Sequence, residues 1–383
     1  MQTGVPVINV RNIGFGTLRA DKLEFITEST RDRLSGHVLQ AGDIVFGRKG
    51  AVERHVLIRK GQEGWFQGSD CIRLRLFSER LKSEFVSYFL LTAEHQQWML
   101  NQCSHGATMA SLNQAILGRI ALPLPPVNVQ RRIAAILSAY DDLIETCERR
   151  IRVLDEMARA LYREWFVNFR YPGHEKVPLV EPGSARIPKG WTQVTLRAVA
   201  KVNTEQVDVK KAPPRIRYID ISSVSPGTVE NITDYRFADA PGRARRVVHD
   251  GDILWSTVRP NRRSYALVLD PEDATIASTG FAVLTATEVP FTYLYAATTT
   301  DEFVGYIERR ATGAAYPAVT ARVFEEAPLV IPPASVLEHF ARASVPSARL
   351  TALLQRKIMN LRKTRDLLLP RLLSGQLAVS AAT

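Results

Sequence analysis

Apolar and polar positions follow two different periods along this chain, and each period occurs twice. From Val5 onward, the short apolar strings VPVINV, DIVF, HVLI and CIRLRL are separated by glycine turns at AGD, GRKG and GQEG. That is the pattern of short strands joined by tight turns. Phe85, Tyr88, Phe89, Leu91, Trp98 and Met99 then fall at helical spacing, predicting one helix over roughly Ser83 to Asn101. From Ile133 the apolar spacing alternates four and three, through Leu137, Tyr140, Ile144, Cys147, Ile151, Leu154, Ala158, Leu161 and Trp165. A heptad seam of this length specifies a long helix of the coiled-coil kind. The Pro- and Gly-rich stretch from Arg170 to Trp191 has no apolar period and predicts a linker.

The second half repeats the order. GDILWSTVRP (Gly251 to Pro260) matches GDIVFGRKG (Gly42 to Gly50), and ATIASTGFAVL (Ala274 to Leu284) matches QGSDCIRLRL. Tyr293 to Arg310 matches the helix, and ATGAAYPAVT matches SHGATMASLN. The run that begins LPLPPVNVQRRIAAIL returns some 207 residues later as VIPPASVLEHFARAS, with Pro125–Pro126 on Pro332–Pro333, Ile133 on Phe340 and Trp165 on Leu372. Such a period is far too long for a solenoid unit. It predicts two α+β globules, each followed by a long helix. The expected boundaries are 1–121 for the first globule, 122–169 for its helix, 170–190 for the linker, 191–329 for the second globule, 330–377 for its helix and 378–383 for a tail. The second seam reads Leu350, Leu354, Ile358, Leu361, Leu368 and Leu372. An interior proline costs ~3 kcal/mol, so Pro346 predicts a short helix to about Ser344 and a long one beginning near Pro346, with Pro370 bending or ending it. The second globule opens with IPKGWTQVTLRAVAKVN before IRYIDISSV. The first begins at the equivalent of that later point, VPVINVRNI, so its opening strand and helix are expected to be missing.

Charge narrows the partners. Fifty Lys and Arg against 39 Asp and Glu give a formal net charge of +11, a balance that favours a polyanion. Acids and bases balance on the first long helix. The second carries Arg342, Arg349, Arg356, Lys357, Arg362, Lys363, Arg365 and Arg371 against Glu338 and Asp366, a face suited either to phosphates or simply to water. No apolar run approaches the ~18 residues of a membrane span, and no signal peptide is evident at the amino terminus. Cys71, Cys103 and Cys147 match neither a disulfide framework nor zinc-ligand spacing. The expected location is the cytoplasm. Catalytic signals are missing too: there is no GxxxxGK[ST] phosphate loop, no NPPY or DPPY element, and no histidine pair at metal-ligand spacing. Asp270-Pro-Glu-Asp reads as a turn rather than a nuclease cluster.

Together these features resemble the specificity subunit of type I restriction–modification systems. The PLPPxxxQRRIAAILSAxDDLIE run, its continuation to MARALYREWFVNF, the two GDI strands and the closing RDLLLPRLLSGQL carry the resemblance, which extends from about Val5 to Leu377. It implies two target recognition domains separated by two long helices packed as an antiparallel coiled coil. It also implies a non-catalytic subunit that reads an asymmetric, split sequence in double-stranded DNA. Two methyltransferase subunits and motor–nuclease subunits are the implied protein partners, with S-adenosylmethionine, ATP and Mg belonging to them. DNA-facing residues are expected in the loops after each GDI strand and each GAT or TGA turn: Arg48, Lys49, Gln67, Ser69, His105, Thr108, Ser111 and Asn113 in the first domain. The second offers Arg243, Arg245, Arg246, Arg259, Asn261, Arg262, Arg263, Ser278, Thr279, Tyr316 and Thr320. Arg and Lys suit guanine or phosphate, Asn and Gln suit adenine. VRPNRR stands out, because three arginines in one turn are hard to explain by folding. The alternative is a coiled-coil scaffold whose globules bind proteins, with the basic charge incidental.

Overall fold

The computed structural model describes residues 4–20, 22–103, 110–181 and 186–377. The chain divides into two compact units, residues 1–143 with 361–383, and residues 144–360. The architecture is α+β, and each unit contains part of both long helices.

In the first unit a four-stranded sheet runs Phe15–Gly16, His55–Leu57, Ile44–Gly47, Cys71–Leu74, beside a three-stranded sheet of Glu24–Ile26, Val5–Ile8 and Phe66–Gln67. The helices are α1 (Glu28–Arg33), α2 (Ser83–Leu90), α3 (Ala93–Cys103), α4 (Gln114–Leu117) and the start of α5 (Val127–Tyr162). The second unit repeats the frame. Its central sheet runs Ala200–Val202, Phe281–Ala286, Ile253–Ser256, Tyr265–Leu267, and a second sheet runs Thr233–Arg236, Arg215–Ile219, Thr275–Ser278, Ala244–Val247. Helices α6 (Phe291–Thr298), α7 (Asp301–Glu308), α8 (Ala321–Glu325) and α9 (Ala334–Leu373) follow.

The GDI strand is central in both units. Ile44 lies opposite Leu57 and Leu74, and Ile253 opposite Leu267 and Leu284. Its entry turn explains the motif. Gly42 and Gly251 sit at φ of +92° and +88°, in the left-handed region that glycine occupies without a Cβ clash. The aspartate that follows is buried and folds back: Asp43 Oδ2 accepts from Gln40 N at 2.8 Å, and Asp252 Oδ2 from His249 N at 2.7 Å. The other carboxylate oxygen crosses to the neighbouring strand, meeting Arg75 Nε in the first unit and Thr285 Oγ1 in the second, each at 2.6 Å.

The ends of the long helices are core, not appendage. Ile133, Ala134 and Leu137 of α5 share one apolar cluster with Leu369 and Leu372 of α9, together with Ile44, Phe46 and Phe85 of the first globule. In the second unit Phe166, just beyond α5, joins Leu337 and Phe340 of α9 around Trp255, Tyr293 and Phe324. Phe166 meets Phe340 and Tyr293 edge-on at 4.9 and 4.8 Å between ring centroids, a favoured aromatic geometry. In each unit the α5 residue number rises as its α9 partner's falls, so the helices pair antiparallel. The polar letters of the QRRIAAILSAxDD run have structural work. Buried Gln130 accepts from Lys82 N and donates to the Arg80 and Pro125 carbonyls. Asp141 accepts from both Tyr88 Oη and Arg365 Nη1 at 2.6 Å.

Three expectations are corrected. The helix expected over Ser83 to Asn101 is two helices. The Thr92 hydroxyl donates to the Phe89 carbonyl and accepts from His95 N, closing α2 and capping α3. The second unit breaks in the same place, where Thr300 caps α7 by accepting from Phe303 N. Pro346 does not interrupt α9, which continues from Ala334 to Leu373, past Pro370. Burial on both sides holds it: Phe340 and Ser344 before the proline, Leu354 and Ile358 after it. Finally, Leu350 is exposed rather than in the seam. Ser347, Ala348, Thr351 and Ala352 face Leu154, Ala158 and Tyr162 of α5 instead, around a cavity of about 310 Å³. Among the described residues no helix is long and apolar enough to cross a membrane.

The first unit also buries two neutral histidines. His55 contacts Ser87 Oγ at 2.8 Å through Nε2, while its Nδ1 and the Nε2 of His95 have no hydrogen-bond partner among the described residues. Burial, then the proximity of His95, pushes His55 down to about 3, and burial pushes His95 down to about 4. Both bind a proton more readily unfolded, near pH 6.5. Their contribution to stability is therefore intact above that pH and lost as pH falls toward 4. Urea denaturation across pH 7 to 4.5 should show stability falling by up to about 1.4 kcal/mol per pH unit per histidine. His95→Gln should flatten that slope, and an unchanged slope would show that these residues do not set it.

Candidate nucleic-acid interface

The backbone gathers the candidate loops at one edge of each unit. In the second unit Thr279 N donates to the Arg243 carbonyl and Thr257 N to the Gly280 carbonyl. Val319 N donates to the Thr257 carbonyl, and Arg259 N to the Pro317 carbonyl at 2.7 Å. The segments around residues 243, 257–263, 278–280 and 316–320 thus form one continuous border at the carboxyl end of the GDI strand. The first unit uses the same scheme. Arg48 N donates to the Asp70 carbonyl, Leu112 N to the Arg48 carbonyl and Gly50 N to the Ala110 carbonyl. These bonds align Arg48 with Thr257, Lys49 with Val258 and Gly50 with Arg259.

Within the border the candidates differ in what they do. Arg48, Lys49, Ser69 and Ser111 are exposed, and Gln67 is half-buried and donates to the Cys71 carbonyl. Asn113 caps α4 by accepting from Ile116 N at 2.9 Å. His105 and Thr108 lie outside the described residues. In the second unit Ser278 is fully buried and accepts from Gly280 N, so it shapes the turn and does not face outward. Arg243, Asn261, Arg262, Tyr316 and Thr320 are exposed, and Thr279 is half-buried. Arg245 and Arg246 are half-buried. The first lies over the Phe237 ring at 5.3 Å, and burial lowers the pKa of the second.

The VRPNRR turn has more folding content than its sequence announces. Arg259 and Arg263 take φ of +50° and +55°, a left-handed conformation that costs an L-residue about 1–2 kcal/mol. The Arg259 guanidinium lies 4.4 Å from the Tyr316 ring centroid and donates to the Ala315 carbonyl at 3.1 Å. Arg263 pairs with Asp301 in the first turn of α7. The Arg262 side chain is left over, exposed and without a hydrogen bond or ion pair among the described residues.

Sequence reasoning missed the loop after the Val5–Ile8 strand and its counterpart after Arg215–Ile219. It closes the same border, because Gly68 N donates to the Ile8 carbonyl, beside Asn9, while Ile221 packs against Gly280. Asn9 and Arg11 in the first unit, and Asp220 and Ser222 in the second, stand at equivalent places. The aligned openings VPVINVRNI and IRYIDISSV carried that signal. The basic face of α9 is partly spent inside the second unit: Arg349 pairs with Asp250 and Asp270, and Arg356 with Asp270. The Asp270 turn thereby anchors a helix. Arg349 holds the Asp250 carboxyl below its ordinary range. Among the described residues no three His, Cys, Asp or Glu side chains cluster as a metal site.

Residues 2–156 match the family model described as the type I restriction modification DNA specificity domain. The type I restriction enzyme MjaIX specificity subunit of Methanocaldococcus jannaschii is 24% identical over 359 residues, covering 92% of this chain and 82% of that protein. The putative MjaX specificity subunit of the same organism is 25% identical over 198 residues, half of this chain and 45% of the other. The fold matches the crystal structure of a type I restriction–modification S subunit from M. genitalium at a TM-score of 0.60 and 14% identity, covering 96% and 88% of the two chains. The chain is thus similar to type I specificity subunits over most of its length. The duplicated border of this chain carries exposed polar and basic side chains, Arg48, Lys49, Arg243, Asn261 and Arg262 among them.

The strain at residue 259 is open to measurement. Arg259→Gly should be more stable than Arg259→Ala by about 1 kcal/mol, since both lose the Tyr316 contact and only glycine tolerates the left-handed backbone. Thermal denaturation of the two variants checks this, and equal stability would remove the strain.

Proposed function

We propose that this specificity subunit reads an asymmetric bipartite target in double-stranded DNA, one half-site per unit. The carrying observation is that one backbone border occurs in both units with different side chains on it: Arg48, Lys49 and Gly50 against Thr257, Val258 and Arg259. A shared frame with unlike side chains fits two half-sites of unlike sequence. In this reading α5 and α9 set the unread gap and dock two methyltransferase subunits, which motor–nuclease subunits join. S-adenosylmethionine, ATP and Mg serve those partners, and this chain supplies recognition without catalysis. The membership of both helices in both cores supports the ruler, because a change in helix length has no slack to absorb it.

The full chain, assembled with its methyltransferase, should bind a duplex carrying its target far better than a scrambled one. With half a dozen phosphates neutralised, affinity should fall roughly a thousandfold between 50 and 200 mM salt. Binding without sequence preference at any salt would overturn the reading. Inserting four residues into each long helix adds ~6 Å, or nearly two base pairs at ~3.4 Å each. Mapping methylated sites should then show a longer gap between unchanged half-sites; an unaltered gap refutes the ruler.

A further inference from the structure

Recognition of DNA by the second unit leaves open which side chains of the Arg259–Arg263 turn read bases and which hold the turn. We infer that Asn261 and Arg262 are the base-reading pair of the second half-site, while Arg259 and Arg263 are positioning residues that present them. This deepens the reading proposed above and rests on it.

The argument starts from the backbone. Pro260, Asn261 and Arg262 form a single 3-10 turn flanked on both sides by left-handed arginines. Arg262 N donates to the Arg259 carbonyl and Arg263 N to the Pro260 carbonyl, both at 2.9 Å. Pro260 is buried, which pins the base of the turn, while Asn261 and Arg262 are exposed at its tip. Two non-glycine residues in left-handed conformation within five positions represent strain that persists only where surrounding structure over-determines it. Here that structure is specific. Arg259 is fixed by the Pro317 and Ala315 carbonyls and the Tyr316 ring. Arg263 is fixed at the other end by its Pro260 hydrogen bond and by Asp301. Their guanidinium groups are directed to protein partners, so neither is available for a bidentate contact without giving one up.

The exposed Arg262 side chain has no such partner among the described residues. A guanidinium on a rigid turn is pre-organised for the O6/N7 edge of guanine, and the adjacent Asn for the N6/N7 edge of adenine. The corresponding turn of the first unit has glycine at the Arg259 position, φ +80° at Gly50, and carries Glu53 and Arg54 paired to one another. A reading head of this composition is therefore peculiar to the second unit. Its effect should be confined to one half-site.

The test is selection of bound duplexes from a randomised library by the full chain assembled with its methyltransferase. Wild type defines both half-sites. Arg262→Ala and Asn261→Ala should each relax preference at one or two adjacent positions of a single half-site, by roughly five- to 150-fold per position. The other half-site and the melting temperature should be unchanged. Arg263→Ala and Arg259→Ala should blur those same positions together rather than one at a time, and Asp301→Ala should copy Arg263→Ala. If Arg262→Ala selects the wild-type sequence while binding weakens evenly and the salt slope drops by about one, Arg262 is a phosphate contact and the inference fails with DNA recognition intact. A wild-type selection that yields no sequence would instead overturn the broader reading along with it.

Discussion

Neither globule closes its core without the ends of the long helices. In the first unit Ile133 and Leu137 of α5 and Leu369 and Leu372 of α9 complete the cluster around Phe46 and Phe85. In the second, Phe166, Leu337 and Phe340 complete the cluster around Trp255 and Tyr293. Each such side chain contributes about 1.5–3 kcal/mol when fully buried, so a handful of them is comparable with the net stability of a domain. The helix that leaves each globule begins in that globule's core and ends in the other's. Within each unit, the globule and the helix ends in its core are thus one thermodynamic object. A change that unseats a helix end destabilises a globule, and a change in a globule's core loosens the helix.

This dependence explains why frame and border diverge so differently between the halves. The frame must satisfy backbone hydrogen bonds and fill a core, and both halves do so with the same devices. A glycine at positive φ is followed by a buried aspartate that closes the entry turn, and a threonine caps the second of two short helices. Even where a partner changes, from Arg75 to Thr285, the aspartate keeps its two obligations. The border carries no comparable constraint. Its backbone is fixed by pairings such as Arg48 N to Asp70 O, but exposed side chains there can change at little cost to folding.

That difference also decides what was legible in the sequence. The repeat, the strands and the α5 seam were readable because burial imposes a period, and every seam position from Ile133 to Trp165 is buried or half-buried. The breaks at Thr92 and Thr300 were hidden, because the apolar period ran through them while one hydroxyl redirected the backbone. Pro346 was misread because a local cost of ~3 kcal/mol was weighed without the burial that flanks it. The border could be located from the repeat, but not the division of labour on it. Nothing in VRPNRR shows that Tyr316 lies under Arg259 or that Asp301 meets Arg263, since both partners are distant in sequence.

The same partnering reshapes the meaning of the net charge. A surplus of +11 favours a polyanion in general, yet an arginine that holds a carboxylate inside the fold contributes little to an external phosphate. Arg349 and Arg356 are tied to Asp250 and Asp270, Arg365 to Asp141, and Arg75 to Asp43. The first two arginines join α9 to the second globule, Arg365 joins α9 to α5, and Arg75 closes a strand end within the first globule; removing a buried pair's arginine leaves its carboxylate stranded. Long-range attraction survives, because it depends on summed charge, but close contact needs cations with no competing partner. On the duplicated border, Arg48, Lys49 and Arg262 meet that condition. Attraction is thus spread over the molecule, whereas close contact on the border falls to the cations that the fold leaves unpaired there.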